Sequence, residues 1–154
     1  MCLTTEPYSF KIEPANPADF DQIRSGLQSS KLVYLDLHPE LPNFFKLSAD
    51  GEVIGCIGLE TFGQFGLLRS MWVAPIHRKR GWAKLLVSHL ENYALSLHLS
   101  HLYLLTETAE SFFNQLGYRR IDRVLAPEAL KDSWEFKSGC PDSAVMMEKT
   151  PGDH

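Results

Sequence analysis

From Trp82 onward the apolar residues Leu85, Leu86, Leu90, Tyr93, Ala94 and Leu97 recur at the three- and four-residue spacing of one helical face. A helix with one apolar stripe must lay that stripe on another element, and the chain supplies strands on both sides of it. Leu67 to Val73 reads as a buried strand that ends at Pro75, and Leu102 to Thr106 as a second. Upstream, Asn43 to Leu47 and Glu52 to Glu60 are extended apolar runs joined across Asp50-Gly51, a dipeptide that readily takes the positive φ angles of a hairpin turn. Strands alternating with amphipathic helices predict a mixed α/β domain.

The remaining segments fit that frame. Tyr8 to Glu13 alternates as a first strand, and Asn16-Pro17 supplies a cap and a first-turn proline for a helix from Pro17 to Gln28. Leu32 to Leu41 is cut by His38-Pro39 and Leu41-Pro42 and reads as a short helix or a loop. Gly63 and Gly66 mark a turn before the strand at Leu67. Thr108 is the expected cap of a short helix from Ala109 to Leu116, stopped by Gly117. Tyr118 to Ile121 is extended again, Pro127 to Lys131 is a helical turn, and Ala144 to Met147 is a last strand. Repeats and low-complexity segments are absent, and 154 residues suffice for one domain spanning the chain, 1–154.

A net charge of −4 excludes a globally basic surface, so nucleic acid is not an expected partner. No uninterrupted apolar run approaches a membrane span, since Ala94 to Leu105 is broken by Ser96, His98, Ser100 and His101. The N-terminus lacks a basic segment followed by an apolar one, and Cys2, Cys56 and Cys140 match neither a disulfide framework nor a zinc pattern. The expectation is a cytoplasmic protein without a metal. His98 and His101 have no carboxylate or cysteine companions at ligand spacing.

The chemistry gathers in Val73-Ala74-Pro75-Ile76-His77-Arg78-Lys79-Arg80-Gly81-Trp82-Ala83-Lys84, which links a buried strand to the amphipathic helix. The first amides of a helix lack internal acceptors and carry the positive end of its dipole. With Arg78, Lys79 and Arg80 beside them they form an anion site suited to a diphosphate. Gly81 permits close approach of the backbone, and Ala83 leaves room. Taken alone, the basic triplet reads equally as a solvated turn.

This segment resembles the diphosphate-binding signature of the GNAT superfamily of acetyl-CoA-dependent N-acetyltransferases, in which Arg or Gln, two variable residues, Gly, one variable residue and Gly or Ala follow a strand. Arg78, Gly81 and Ala83 occupy those places. Element order matches over about residues 8 to 149. The resemblance implies a GNAT (acyl-CoA N-acyltransferase) fold with a mixed, mostly antiparallel central sheet. It implies acetyl-CoA as cosubstrate, its pantetheine arm lying where the strand ending at Val73 splays from Leu102 to Thr106. Met71, Trp72 and Val73 would offer backbone groups to that arm, and Arg78, Lys79, Arg80, Gly81, Trp82, Ala83 and Lys84 would surround the diphosphate. Ala109 to Tyr118 is similar to the family's second cofactor segment, adding Phe112 and, at a place often held by asparagine, Thr106. A closer similarity, carried by Leu67-Leu68-Arg69-Ser70, Leu104-Leu105-Thr106, Phe112-Phe113, Gly117-Tyr118, Glu135-Phe136, Cys140-Pro141 and Ser143-Ala144-Val145, is to the arsenic-resistance N-acetyltransferase-like branch. That branch shares features with the acetyl-transfer domain of N-acetylglutamate synthase.

Catalysis of this kind requires a free amine, a polarised thioester oxygen and a tolerated thiolate. Glu60 is the candidate general base, directly or through water; as a strand-end carboxylate it is equally read as merely solvated. The backbone amide near Val73 is the candidate oxygen donor. Relatives often place a tyrosine acid where this chain has Phe113, so the thiolate is expected to leave without it; Tyr118 is either a substitute or a core aromatic. Arg69 and Ser70 are candidates to hold a carboxylate of the acceptor, with a surface salt bridge the alternative for Arg69. Trp134 either covers the acceptor pocket or packs. The implied partner is a small-molecule amine, amino-acid-like, with a homodimer left open. A peptide or protein amine acetyltransferase and a non-catalytic acyl-CoA sensor, favoured by Phe113, are the alternatives.

Overall fold

The computed structural model describes residues 9–32, 43–133, 136–137 and 143–152. Tyr8, nearly all of the ambiguous 32–41 stretch, Trp134, Glu135, Cys2, Cys140 and Pro141 lie outside the described residues. In chain order the elements are β1 (Phe10–Pro14), α1 (Phe20–Ser29), β2 (Phe44–Ala49), β3 (Glu52–Phe62), β4 (Phe65–Val73) and α2 (Trp82–Ser96). They are followed by β5 (His101–Thr106), α3 (Glu110–Gln115), β6 (Arg119–Ile121), α4 (Glu128–Lys131) and β7 (Val145–Lys149). One seven-stranded sheet runs β1-β2-β3-β4-β5-β7-β6. All neighbours are antiparallel except β4 and β5.

Local chemistry accounts for most boundaries. Asn16 accepts from the Ala18 amide and pairs reciprocally with Asp19, starting a 3-10 turn at Pro17 that runs into α1. Asp50 and Gly51 take φ of 50° and 84°, so the β2–β3 hairpin closes through two positive-φ residues as expected. The second turn falls at Gly63 alone, because Gly66 is inside β4, where a Cβ would come within 2.8 Å of Leu59.

α2 buries Leu86, Val87, Leu90 and Ala94, whereas Leu85 is 50% and Leu97 39% exposed. The stripe is thus turned from the expected one: Leu85 sits on the flank, and Leu97 falls where the chain leaves the helix. That stripe meets Leu59, Leu68, Leu102 and Leu104 on one face of the sheet. The other face is covered by α1, through Phe20, Ile23 and Leu27 against Phe44, Cys56 and Trp72, and by Leu130 of α4 over Leu67, Tyr103 and Met146. Each such side chain contributes about 1.5–3 kcal/mol on full burial.

A buried polar knot ties α2 to β7 and to the end of α3. Lys149 Nζ donates to both Glu91 oxygens, at 3.1 and 3.2 Å, and to the Leu116 carbonyl at 2.7 Å. The Tyr118 hydroxyl donates to Glu91 Oε2 at 2.9 Å. Burial first, and then the Glu91 charge, hold the Tyr118 phenol well above the ordinary tyrosine range. Tyr118→Phe should cost about 1.5–3 kcal/mol near neutral pH, the worth of a hydrogen bond to a charged group. The wild-type phenol ionises only on unfolding, so its contribution is complete below about pH 10 and is lost as pH rises above that. Thermal unfolding across pH 7–11 should therefore show the gap between wild type and Tyr118→Phe narrowing at the alkaline end.

Candidate active site

β4 and β5 pair only at Phe65 with His101, Gly66 with Leu102 and Leu67 with Tyr103. Beyond that point β4 stays on β3 as far as Val73, and β5 stays on β7 as far as Thr106. The parallel strands therefore part, and a cavity of about 540 Å³ opens between them, bordered by Leu68 to Val73 on one side and Leu104 to Thr106 on the other.

A bulge aims the β4 wall. Gly58 pairs with Arg69 but Cys56 with Trp72, so Ser70 and Met71 together oppose Ile57, and Ser70 takes φ of 59°. Past the bulge, Ala74 N–H donates to Ile54 O at 2.7 Å. Backbone groups alternate along an antiparallel ladder, so Val73 is turned away from β3 and toward the gap that β5 vacates, while Trp72 is turned toward β3. Of the three residues expected to offer backbone groups here, Met71 and Val73 turn theirs toward the gap and Trp72 turns its toward β3.

One end of the cavity meets the start of α2. The first bond of the helix runs from the Leu85 amide to Gly81 O at 3.1 Å, and no side chain caps the N-terminus. The amides of Trp82, Ala83 and Lys84 thus precede the first helical bond, with exposed Lys79, Arg80 and Lys84 around them. Gly81 has φ of 84°, and a Cβ there would meet nothing within 4 Å, so the space in front of these donors is open. Open, uncapped, positively surrounded donors fit a diphosphate.

Two side chains of this loop also make contacts within the protein. Arg78 Nε donates to Val73 O at 2.7 Å and one terminal nitrogen to Ser30 Oγ at 3.2 Å, so its guanidinium braces the cavity edge against α1. The Trp82 ring packs on Phe10 of β1, centroids 4.4 Å apart and planes tilted by 30°, leaving its backbone at the helix start.

On the β4 wall, Arg69 is 2% exposed. Its Nε donates to Ser70 Oγ at 2.9 Å, and a terminal nitrogen pairs with Glu60 Oε1 at 2.9 Å. Arg69 is therefore buried in the wall rather than in a surface salt bridge. Glu60 is not a solvated strand end: it stands behind Arg69, on the same face of the sheet, outside the cavity's described lining. Cys56 Sγ donates to Ser70 O at 3.1 Å, and burial pushes its thiol up to about 12 despite Arg69 nearby. It packs, and is no nucleophile at neutral pH.

On the β5 side, Thr106 Oγ1 accepts from the Ala109 amide at 3.0 Å, so Thr106 rather than Thr108 caps the approach to α3, and both line the cavity. The lining aromatic is Phe113, while Phe112 packs at its side, ring to ring at 5.1 Å. Tyr118, committed to Glu91, is not in the described lining. Sequence reasoning missed Ser29, Ser30 and Leu32, which form the α1 side of the cavity. They carry no motif, and Arg78 brings them in across 48 positions. No group of three or more His, Cys, Asp and Glu that could hold a metal ion occurs among the described residues. No helix among them is long and apolar enough to cross a membrane.

Comparison with known proteins gives a consistent set. The profile of the acetyltransferase (GNAT) family matches residues 5–118. The amino-acid acetyltransferase of Neisseria meningitidis serogroup A is 24% identical over 118 residues, 75% of this chain and 26% of that protein. The chain thus spans about a quarter of the length of the curated relatives it matches. The fold superposes on N-acetylglutamate synthase from Neisseria gonorrhoeae, complexed with coenzyme A and N-acetyl-glutamate, with a TM-score of 0.81 at 18% identity, covering 99% of this chain and 37% of that one. It also superposes on Rv2747 from Mycobacterium tuberculosis, in complex with CoA and NLQ, with a TM-score of 0.77 at 19% identity, covering 91% and 98%.

Proposed function

Since the chain belongs to the acetyltransferase (GNAT) family, we propose that it acts as a single domain that moves an acetyl group from acetyl-CoA to the primary amine of a small, amino-acid-like acceptor, by direct transfer in a ternary complex. The observation that carries this reading is the cavity where β4 and β5 part. It runs from the uncapped start of α2 to a wall whose described charged residues are Arg69 and Arg78, with no carboxylate among them. Arg69 is paired with Glu60 behind the wall, so it is chiefly Arg78 and the start of α2 that favour an acceptor bringing its own negative charge. Amino-acid acetyltransferases among the relatives support the same class.

Acetyl-CoA, when bound, supplies the thioester that the amine attacks. The amides of Trp82, Ala83 and Lys84 hold the diphosphate, with Lys79, Arg80 and Lys84 adding charge, and Met71 and Val73 direct the pantetheine arm along β4. Val73 N–H donates to the carbonyl oxygen, where negative charge grows. Arg69, its plane set by Glu60 and Ser70, receives the acceptor's carboxylate. Glu60 takes the amine proton through water. Phe113 offers no hydroxyl to the departing thiolate, which leaves protonated by solvent.

Thiol release from acetyl-CoA tests the reading across L-glutamate, L-glutamine, their decarboxylated amines, a peptide with a free N-terminus and arsenic-containing amino acids. Release with amino acids, and at least about tenfold less with the decarboxylated amines, is expected. Preference for the peptide would favour the protein-modifying alternative. Coenzyme A binding without release from any amine would make the chain an acyl-CoA sensor. Preference for the arsenicals would place it with the arsenic-resistance branch that Leu67 to Ser70 resemble.

A further inference from the structure

Trp72 and Ser29 each border two cavities. One is the cleft already described; the other, a shallow hollow of about 630 Å³ open to solvent, lies between α1 and the β2–β3 turn and is bordered by Gln22, Gly26, Asp50 and Glu52. Trp72 is 8% exposed and packs in the core cluster under α1. The helix approaches the ring as closely as it does because residue 26 is glycine: a Cβ there would lie 2.4 Å from two ring carbons. The indole Nε1 is buried without an acceptor, although a buried indole N–H ordinarily finds one.

The two cavities differ in sign. Among described lining residues, the cleft has Arg78 and the buried Arg69, itself paired with Glu60 behind the wall, and no carboxylate, whereas the second cavity has the exposed Asp50 and Glu52 and no cation. An amine with a carboxylate near the reacting nitrogen and a cationic group at the end of a longer tail would match both halves. Trp72 borders both.

We propose that Trp72, backed by Gly26, is the specificity-determining partition of the acceptor site. It restricts acceptors to those with short or anionic tails, and excludes those whose tail carries a second cation. The inference rests on the cleft being the acetyl-transfer site. Removing the ring joins the cavities and places the Asp50 and Glu52 charges within reach of such a tail.

Calorimetry on the purified protein tests this with coenzyme A and with two conjugates, in which the coenzyme sulfur is joined through an acetyl linker to the α-amine of L-glutamate or of L-lysine. Each conjugate's affinity is divided by that of coenzyme A for the same variant, which cancels changes in coenzyme binding. In wild type the glutamate conjugate should bind at least about tenfold tighter than the lysine conjugate. Trp72→Phe, which keeps a ring, should preserve that ratio, and Trp72→Ala should lower it by roughly tenfold or more. Trp72→Leu retains apolar contacts with α1 and serves the same comparison if thermal melts show Trp72→Ala unfolded. Adding Glu52→Gln to the opened variant should return part of the ratio. An unchanged ratio in both Trp72→Ala and Trp72→Leu, or no discrimination in wild type, overturns the partition while leaving the acetyl-transfer reading intact. Failure of wild type to bind coenzyme A overturns both.

Discussion

Gly81→Glu should reduce coenzyme A affinity by at least about 100-fold, some 2.7 kcal/mol, in a calorimetric titration. The backbone at this position has φ of 84°, where a side chain costs roughly 1–2 kcal/mol, but a Cβ would meet no protein atom within 4 Å. The variant should therefore fold. Its carboxylate would stand directly before the amides of Trp82, Ala83 and Lys84, where the helix dipole favours negative charge. It would thus occupy the donors that the diphosphate needs and repel the diphosphate as well. Gly81→Ala separates the two effects, carrying the backbone strain without the charge, and should lose affinity only modestly. Wild-type affinity in Gly81→Glu would show that the diphosphate does not sit at the start of α2.

Glu60→Gln should lower kcat/KM for amine acetylation by roughly 10²–10⁴, the range for loss of a general base, with little change in coenzyme A affinity. Two roles are proposed for Glu60, and this variant tells them apart. As a base it removes the amine proton through water, so its loss should erase the acidic limb of the pH–rate profile. As the partner of Arg69, at 2.9 Å, it would set the guanidinium proposed to receive the acceptor's carboxylate. Loss of that function should raise KM for carboxylate-bearing acceptors and leave the pH profile in place. Gln keeps the size and an accepting oxygen, so Arg69 retains a hydrogen bond but loses its charge partner, and a lower melting temperature should accompany either outcome. An unaltered pH profile rules out the base assignment and leaves Glu60 as the residue that positions Arg69.

Much of the frame was legible because its causes are local. Asp50-Gly51 turns a hairpin wherever it sits between extended runs, and Asn16-Pro17 starts a helix by its own side chain. Gly117, with φ of 96°, ends α3 for the same kind of reason. The basic loop before α2 could be placed at a helix start from the spacing of the apolar residues after it. The approach to α3 was less legible: Thr108 is the cap its position suggests, yet the Ala109 amide goes to Thr106 Oγ1, and it is Phe113 of the Phe112-Phe113 pair that lines the cleft, because which of two adjacent side chains faces it depends on how the helix is set on the sheet.

By itself, the order of residues determined a strand, an anion-ready loop and an amphipathic helix in succession, because propensity, capping and backbone angles act over a few neighbouring residues. Tertiary structure alone decided what surrounds that loop. The bulge at Ser70 shifts the β3–β4 register, and a one-residue shift turns every later side chain to the other face. Arg69 meets Glu60 across the β3–β4 hairpin, nine positions apart, and Arg78 meets Ser30 across 48. Trp72 is set on the side of α1, where it borders two cavities. Contacts between residues so far apart depend on how whole elements pack, which no short stretch of the chain encodes.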